Sequence, residues 1–410
     1  MIGQAELLQN PLTGEGYVTS RPATTTIPRS KAPDQTKKHV LDLFCGVGGF
    51  SFGFEMTGAY QVVAGIDLLG DRLQTFSQNH ETANAYGQDI RVISTDVLAN
   101  ENPRPFVILG GSPCQGYSSL RPFRNIERND PRNNLAEEFC RIVHDLQPEW
   151  IVFENVVGLL THNNGYTLQA ILGAFEEIGY RTSIKVLNAA YYGLPQCRER
   201  LIIVGSRKGK PFKWTQPTHW CEHRSMAGQQ KYVLKPLGSL FTQDIQSAVT
   251  INEATHDLPP VEAGKHATVY RHDIELTPYE IFMRNGSGHL TMHEATAHSP
   301  RMLEIIRQSG ANIYALPEGT VTSGFSSCYS RLDGDAPSVT LTVNFVHPAS
   351  NRCIHPVQHR ALTPREGARL QGFFDTFKFI GTRSQIVKQI GNAVPPLLGH
   401  LIAQAILESD

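Results

Sequence analysis

Four short apolar runs, at residues 40–44, 62–67, 106–109 and 150–153, are separated by stretches whose apolar residues recur at helical spacing. Leu135, Phe139, Ile142, Val143 and Leu146 keep one helix face, as do Leu168, Ile171, Leu172, Phe175 and Ile178 ahead of Gly179. A strand buried on both faces reads as a continuous apolar run. Alternating such runs with amphipathic helices predicts a largely parallel sheet covered by helices on both sides, an α/β doubly wound architecture.

That regularity stops after a further apolar run at residues 201–204. From about 205 to 362 the chain is rich in His, Gly, Pro and Ser, which predicts a second, small and irregular domain suited to carrying a specificity surface. Order returns at Thr363-Pro364-Arg365-Glu366, a capping box with proline at the first helical position. Val394, Leu397, Leu398, Leu401, Ile402 and Ile406 form the stripe of a last helix that should pack back on the first domain. Residues 1–38 show no sustained apolar period and are expected to be a disordered arm. The expected division is therefore an arm at 1–38, a large domain from 39–205 with 386–410, and a small domain with its hinge at 206–385.

Composition narrows the class. Hydrophobic residues at 40% and charged residues at 18% exclude a fibrous, coiled-coil or largely disordered protein. The sequence shows neither a long apolar span nor a basic-then-apolar leader, so the expectation is a cytoplasmic protein with no membrane partner. Seven scattered cysteines without a C-x-x-C pair argue against a disulfide framework and a four-thiolate zinc site. His219-Trp220-Cys221-Glu222-His223 is the one compact group of ligand-type residues; it reads as a polar loop, and no metal is expected. The formal net charge of -1 does not announce nucleic acid. It hides an uneven distribution, with Arg207, Lys208, Lys210, Lys213, Arg224, Lys231 and Lys235 close together, and Arg121, Arg124, Arg128 and Arg132 in one loop. Both runs are expected to line a positive cleft.

Four motifs carry chemistry. Phe44-Cys45-Gly46-Val47-Gly48-Gly49 follows a strand, and Asp67 ends the next, which lets backbone approach a ligand while a carboxylate takes a ribose; a nicotinamide dinucleotide and S-adenosylmethionine fit this almost equally. Pro113-Cys114-Gln115 lies beyond the carboxyl end of a strand, the edge where open sheets place their sites. Glu154-Asn155-Val156 also follows an apolar strand. In Gln196-Cys197-Arg198-Glu199-Arg200, spacing of two puts both arginines on one strand face.

In this order, the motifs resemble those of the DNA cytosine-5 methyltransferases of restriction-modification type. The resemblance runs from about 39 to 205 and from about 329 to 408, and includes Arg365-Glu366-x-x-Arg369-Leu370-Gln371 and Gln389-Ile390-Gly391-Asn392-Ala393-Val394-Pro395-Pro396. It implies a Rossmann-like, S-adenosylmethionine-dependent large domain and a small target-recognition domain. It places Phe44, Gly46, Val47, Gly48, Gly49, Asp67, Asp96, Pro113, Asn392, Ala393 and Val394 around S-adenosylmethionine. Cys114, Glu154, Arg198 and Arg200 are implied as catalytic, with Cys114 the nucleophile. Gln115, Ser118, Arg121, Arg124 and Arg128 are expected on double-stranded DNA around a flipped base, and Tyr270, Arg284 and His293 could read bases. Arg132-Asn133-Asn134-Leu135 departs from the family's usual pattern, which bears on loop closure. The resemblance also implies a monomer, with a restriction endonuclease or defence system as functional partner. A transfer-RNA cytosine methyltransferase, a catalytically silent relative and a nicotinamide dehydrogenase are the rival readings.

Overall fold

The computed structural model describes residues 7–9, 16–18, 25–112, 135–224, 231–232, 245–321 and 324–410. Eight strands form one sheet: β1 (Thr25–Ile27), β2 (Lys38–Leu43), β3 (Tyr60–Ile66), β4 (Asn84–Gly87), β5 (Val107–Gly111), β6 (Trp150–Asn155), β7 (Arg181–Asn188) and β8 (Glu199–Ser206). Their spatial order is β1-β4-β3-β2-β5-β6-β8-β7. The centre is parallel from β4 through β6, whereas β8 runs antiparallel to both of its neighbours. β1 pairs antiparallel with β4, so the segment expected to be a disordered arm supplies the edge strand. Three residues too few to show a sequence period are ordered by ladder hydrogen bonds on an open edge.

The helices of this part are α1 (Gly49–Glu55), α2 (Gly70–Asn79), α3 (Thr95–Glu101), α4 (Leu135–Leu146) and α5 (Tyr166–Glu177). Alternate side chains of the central strands feed two cores, as a sheet buried on both faces requires. Val40, Val62, Leu109, Val152 and Ile202 face Phe50 and Phe54 of α1, whereas Leu41, Ile66, Ile108, Phe153 and Ile203 face Phe139, Ile142 and Phe175 of α4 and α5.

The second part is short-stranded and is organised by α6 (Ile251–Thr255), α7 (Pro278–Arg284), α8 (Pro300–Gln308), α9 (Pro364–Leu370), α10 (Arg383–Asn392) and α11 (Pro396–Ser409). The capping box at Thr363 is present, with the Thr363 side chain accepting from Glu366 N and the Glu366 carboxylate accepting from Thr363 N. A third core joins Ile251, Met283, Phe345, Leu370, Phe373 and Ile390 to Val47 of the glycine turn, so the two parts share apolar contacts.

Beneath this core lies a charge network that is buried except for the partly exposed Arg284. Arg365 and Arg369 reach the two oxygens of Asp375 at 3.0 and 2.7 Å, and Arg369 also pairs with Asp257. Arg284 meets Asp257 at 2.7 Å and lies over the ring of Tyr270, whose hydroxyl donates to Asp375.

The last helix returns to the first. A Cβ on Gly53 of α1 would lie 2.1 Å from the Pro396 carbonyl oxygen, and one on Gly399 of α11 would lie 2.2 Å from that of Phe50, so only two glycines allow this backbone contact. Among the described residues, Arg383–Ser409 is the stretch long and apolar enough to cross a membrane by composition, but α10 and α11 are separate helices there and 56% of the span's apolar window is buried in the protein.

Candidate active site

β2 lies between β3 and β5, where connections diverge to opposite sides, and its carboxyl end is the crevice in which such sheets bind ligands. The chain turns there through Phe44, held at a positive φ of 60° and partly exposed, and through Gly48 at φ 82°. A bulky aromatic in the left-handed region costs about 1–3 kcal/mol and persists only where the surroundings enforce it. Asp67 supplies part of that enforcement. Its Oδ2 accepts from Gly46 N at 3.0 Å and its Oδ1 from Leu69 N at 2.9 Å, lacing the turn to the end of β3. Burial pushes the Asp67 carboxyl above its ordinary range, although Arg72 opposes it. Leu68 and Leu69 beside it remain 49% and 43% exposed, an apolar ledge at the crevice.

Asp96 is not on this edge. It is exposed in the first turn of α3, and Thr95 beside it donates to Asp145 in the last turn of α4, near the opposite end of the sheet. The carboxylate next to Asp67's strand end is Asp89, two residues beyond β4 and gripped by Arg91 Nε at 2.9 and 3.1 Å. That grip holds the Asp89 carboxyl below the usual range. Sequence reasoning missed Asp89 because β4 reads Asn-Ala-Tyr-Gly and shows no apolar run; Gly87 was its only signal.

At the carboxyl end of β5 and β6, Glu154 sits opposite Gly111 on one side and Ile202 on the other. Glu154 Oε1 is 2.8 Å from Arg200 Nε, and both side chains are largely buried. A Cβ on Gly111 would stand 2.8 Å from Glu154 Oε2 and 3.5 Å from Val394 Cγ2, so glycine is what admits the carboxylate here. Burial raises the carboxyl's proton affinity more than Arg200 and Arg198 lower it. The result is a buried acid held by a guanidinium beside Gly111, the last residue of β5.

Arg198 does something else. It is 2% exposed and donates to the carbonyls of Leu341 (3.0 Å), Ala393 (3.0 Å) and Gly391 (3.3 Å). Its fork ties down the backbone of 391–393. The strand is interrupted here, since Gln196 and Cys197 pair with Ser338 and Val339 and the ladder with β6 and β7 begins only beyond Arg198, yet Arg198 still lies close enough to Glu154 and Arg200 to act on both electrostatically. Gln371 Nε2 adds a second donor to Ala393 O, at 2.5 Å. A Cβ on Gly49 would meet Val394 O at 2.6 Å, so Ala393 and Val394 close against the glycine turn while Asn392 stays exposed.

Pro113, Cys114, Gln115, Ser118, Arg121, Arg124, Arg128 and Arg132 lie outside the described residues. The base readers suggested by sequence are interior. Tyr270 and Arg284 belong to the buried charge network, and His293 is 1% exposed between Thr363 Oγ1 and the Pro259 carbonyl. In the first basic run, Arg207 and Lys208 miss the crevice: β8 ends beside the start of β6, so Arg207 bonds Gln147 and Lys208 pairs with Glu149 at the opposite sheet edge, whereas Lys235 and the side chains of Arg224 and Lys231 lie outside the described residues. Among the described residues no group of three metal-ligand side chains occurs.

A glycine turn at a sheet's switch point, joined by a buried glutamate and arginine, defines the class as an α/β methyltransferase. The profile described as C-5 cytosine-specific DNA methylase matches residues 39–408, and the chain belongs to that family. It is 34% identical over 375 residues to the type II methyltransferase M1.HphI of Haemophilus parahaemolyticus, covering 90% of this chain and 87% of that one. It is 32% identical to M.DdeI of Desulfomicrobium norvegicum, covering 90% and 88%. A solved DNA modification methyltransferase encoded within an E. coli prophage superposes with a TM-score of 0.68 at 23% identity, covering 91% of this chain and 99% of that chain. A DNMT2 structure from Spodoptera frugiperda gives 0.58 at 14%, covering 90% and 100%; both structures speak to fold. The protein is thus an enzyme, a C-5 cytosine DNA methyltransferase.

Proposed function

We propose that this enzyme methylates carbon 5 of a cytosine flipped out of a specific duplex DNA sequence, through a bond between Cys114 and carbon 6. The observation that carries the reading is the Glu154–Arg200 pair, 2.8 Å apart and buried over Gly111. Carbon 5 of cytosine is a weak nucleophile. A thiolate adding at carbon 6 pushes an electron pair toward carbon 5, and negative charge develops on the ring. A buried acid with raised proton affinity is suited to share a proton with ring nitrogen 3, and Arg200 to donate to the oxygen on carbon 2. Once carbon 5 carries the methyl group, loss of its proton to a base expels the Cys114 thiolate and restores the ring.

The crevice fits S-adenosylmethionine. Nothing stands within 4 Å of a Cβ placed on Gly46, Leu68 and Leu69 offer apolar surface, and Asp67 offers a carboxylate. Phe44, Gly46, Val47, Gly48, Gly49, Asp67, Pro113, Asn392, Ala393 and Val394 would hold it, with Asp89 in place of Asp96 on the adenine side. When bound, it supplies a methyl group activated on a sulfonium. Gln115, Ser118, Arg121, Arg124 and Arg128 would grip the DNA around the flipped base. The enzyme's action is read as falling on cytoplasmic, nucleoid-associated DNA, as a monomer beside a restriction endonuclease; the relatives named type II methyltransferases support the DNA-modifying part of that reading. Duplex DNA carrying 5-fluorocytosine at the recognised site tests the chemistry, because fluorine cannot leave as the proton does. A denaturation-resistant adduct that Cys114→Ser abolishes is the expected result; an adduct formed equally by that variant, or labelling of RNA alone in a methyl-transfer assay, overturns it.

A further inference from the structure

Under the glycine turn lies a buried histidine that the methyl-transfer chemistry does not use. His80 follows the last residue of α2 and is 1% exposed. Its Nδ1 is 2.7 Å from Glu55 Oε2, and its Nε2 is 3.2 Å from the carbonyl oxygen of Gly48. Glu55 is fixed in turn, since its other oxygen accepts from Val62 N of β3 at 2.9 Å. Gly48 is the residue at which the turn becomes α1, and a Cβ there would lie 2.3 Å from His80 Nε2. Ser51 Oγ also donates to the Gly48 carbonyl, at 3.2 Å. The ring packs on Phe76 and meets Phe52 edge-on.

The nearest groups facing the ring nitrogens are acceptors, a carboxylate and a carbonyl; the Ser51 hydroxyl lies farther from Nε2, at 3.5 Å, and has the Gly48 carbonyl to donate to. A neutral imidazole carries one N–H, so in either tautomer one acceptor would face a lone pair; the imidazolium satisfies both. We propose that His80, as an imidazolium bridging Glu55 to the Gly48 carbonyl, is the positioning residue that holds the cofactor turn in its binding conformation, so that the turn loosens when His80 loses a proton. The charged groups facing the ring are Glu55 from α1 and Asp42 from β2. Burial alone lowers the ring's proton affinity, and Glu55, the Gly48 carbonyl and Asp42 together more than reverse this, leaving it above the ordinary histidine value. Asp42 is itself pushed up to about 7 by burial. The Glu55 carboxylate is therefore the main counter-charge at short range.

The inference rests on the crevice being the S-adenosylmethionine site, and its test separates the two. Calorimetric titration of the full chain with S-adenosylhomocysteine between pH 6 and 9 should show affinity falling about three- to tenfold as the imidazolium deprotonates, the size of one hydrogen bond lost. Glu55→Gln should move that step to lower pH, because it removes the charge and leaves an acceptor. His80→Gln, which keeps one donor and no titration, should bind with a weaker and flat pH profile, raising KM for S-adenosylmethionine while kcat at saturation holds. Ring-nitrogen NMR of the unsubstituted protein should show both nitrogens of His80 protonated at pH 7. No binding at any pH refutes the cofactor site itself. Binding whose pH profile is flat, or whose step ignores Glu55→Gln, refutes the role of His80 and leaves the site standing.

Discussion

Replacing Arg198 by Met separates a residue that holds the site from one that works in it. The guanidinium makes two 3.0 Å hydrogen bonds, to Leu341 O and Ala393 O, and a longer one of 3.3 Å to Gly391 O. Hydrogen bonds to a charged group contribute about 1.5–3 kcal/mol each, so the two short ones amount to about 3–6 kcal/mol. Against this stands the cost of burying the charge, and Nε has no partner among the described residues. Allowing about 1–2 kcal/mol for that, and noting that Met leaves buried carbonyls without donors, the net loss of folding stability should be about 2–4 kcal/mol. Because Ala393 and Val394 close against the glycine turn, affinity for S-adenosylhomocysteine should fall roughly tenfold or more, about 1.4 kcal/mol. The chemistry at saturating cofactor should change less than about threefold, well below the effect of removing a general acid. Urea unfolding, calorimetric binding and single-turnover methylation read these three quantities. A variant with unchanged stability and affinity but a collapse of the single-turnover rate would show that Arg198 acts on the base directly, and the positioning argument would be wrong.

Three further outcomes follow from the geometry. Glu154→Gln keeps an acceptor for Arg200 but no acidic proton, so kcat should drop about 10²- to 10⁴-fold while S-adenosylhomocysteine affinity stays within about twofold; loss of affinity equal to the loss of rate would contradict the assignment. Burial by itself raises the carboxyls of Asp257 and Asp375 in the buried network and of Glu366, which Arg360 meets at 2.7 Å, but their arginine partners hold all three below the ordinary range. Such groups stabilise the fold fully above the unfolded carboxylate value of about 4 and lose that contribution as pH falls below it, so the urea midpoint should decline steeply under acid, and Asp375→Ala should cost about 3–5 kcal/mol at pH 7. Lys208→Gln and Arg207→Gln, at the sheet edge away from the crevice, should leave DNA affinity and its salt slope unchanged within error; a slope reduced by about one per charge would place DNA on that edge.

The alternation of apolar runs and helical stripes was enough to read the central sheet, because burial on both faces leaves a continuous apolar signature. The glycine turn, Glu154 and Arg200 were legible for the same reason, since each adjoins a readable apolar run, the first two after one and Arg200 before one. What stayed hidden depends on partners distant in sequence. Arg198 and Arg200 look equivalent until the ladder is seen to break between Cys197 and Glu199. Tyr270, Arg284 and His293 have the side chains of base readers, and only the packing of α7 and α9 shows them buried. Asp89 outranks Asp96 only once β4 is known to end at Gly87. The edge strand at Thr25–Ile27 is ordered by its partner and carries no pattern of its own.

The contact of α1 with α11 through Gly53 and Gly399 also sets an order of events. The turn that begins α1 is made within the first fifty residues, yet its outer wall, Val394, and the helix that clamps it come at the far end of the chain. The crevice therefore gains its wall only when residues 390–400 pack against α1, so it is completed by contacts that span more than three hundred residues of chain. Closing a loop of more than three hundred residues is a late and slow step in folding.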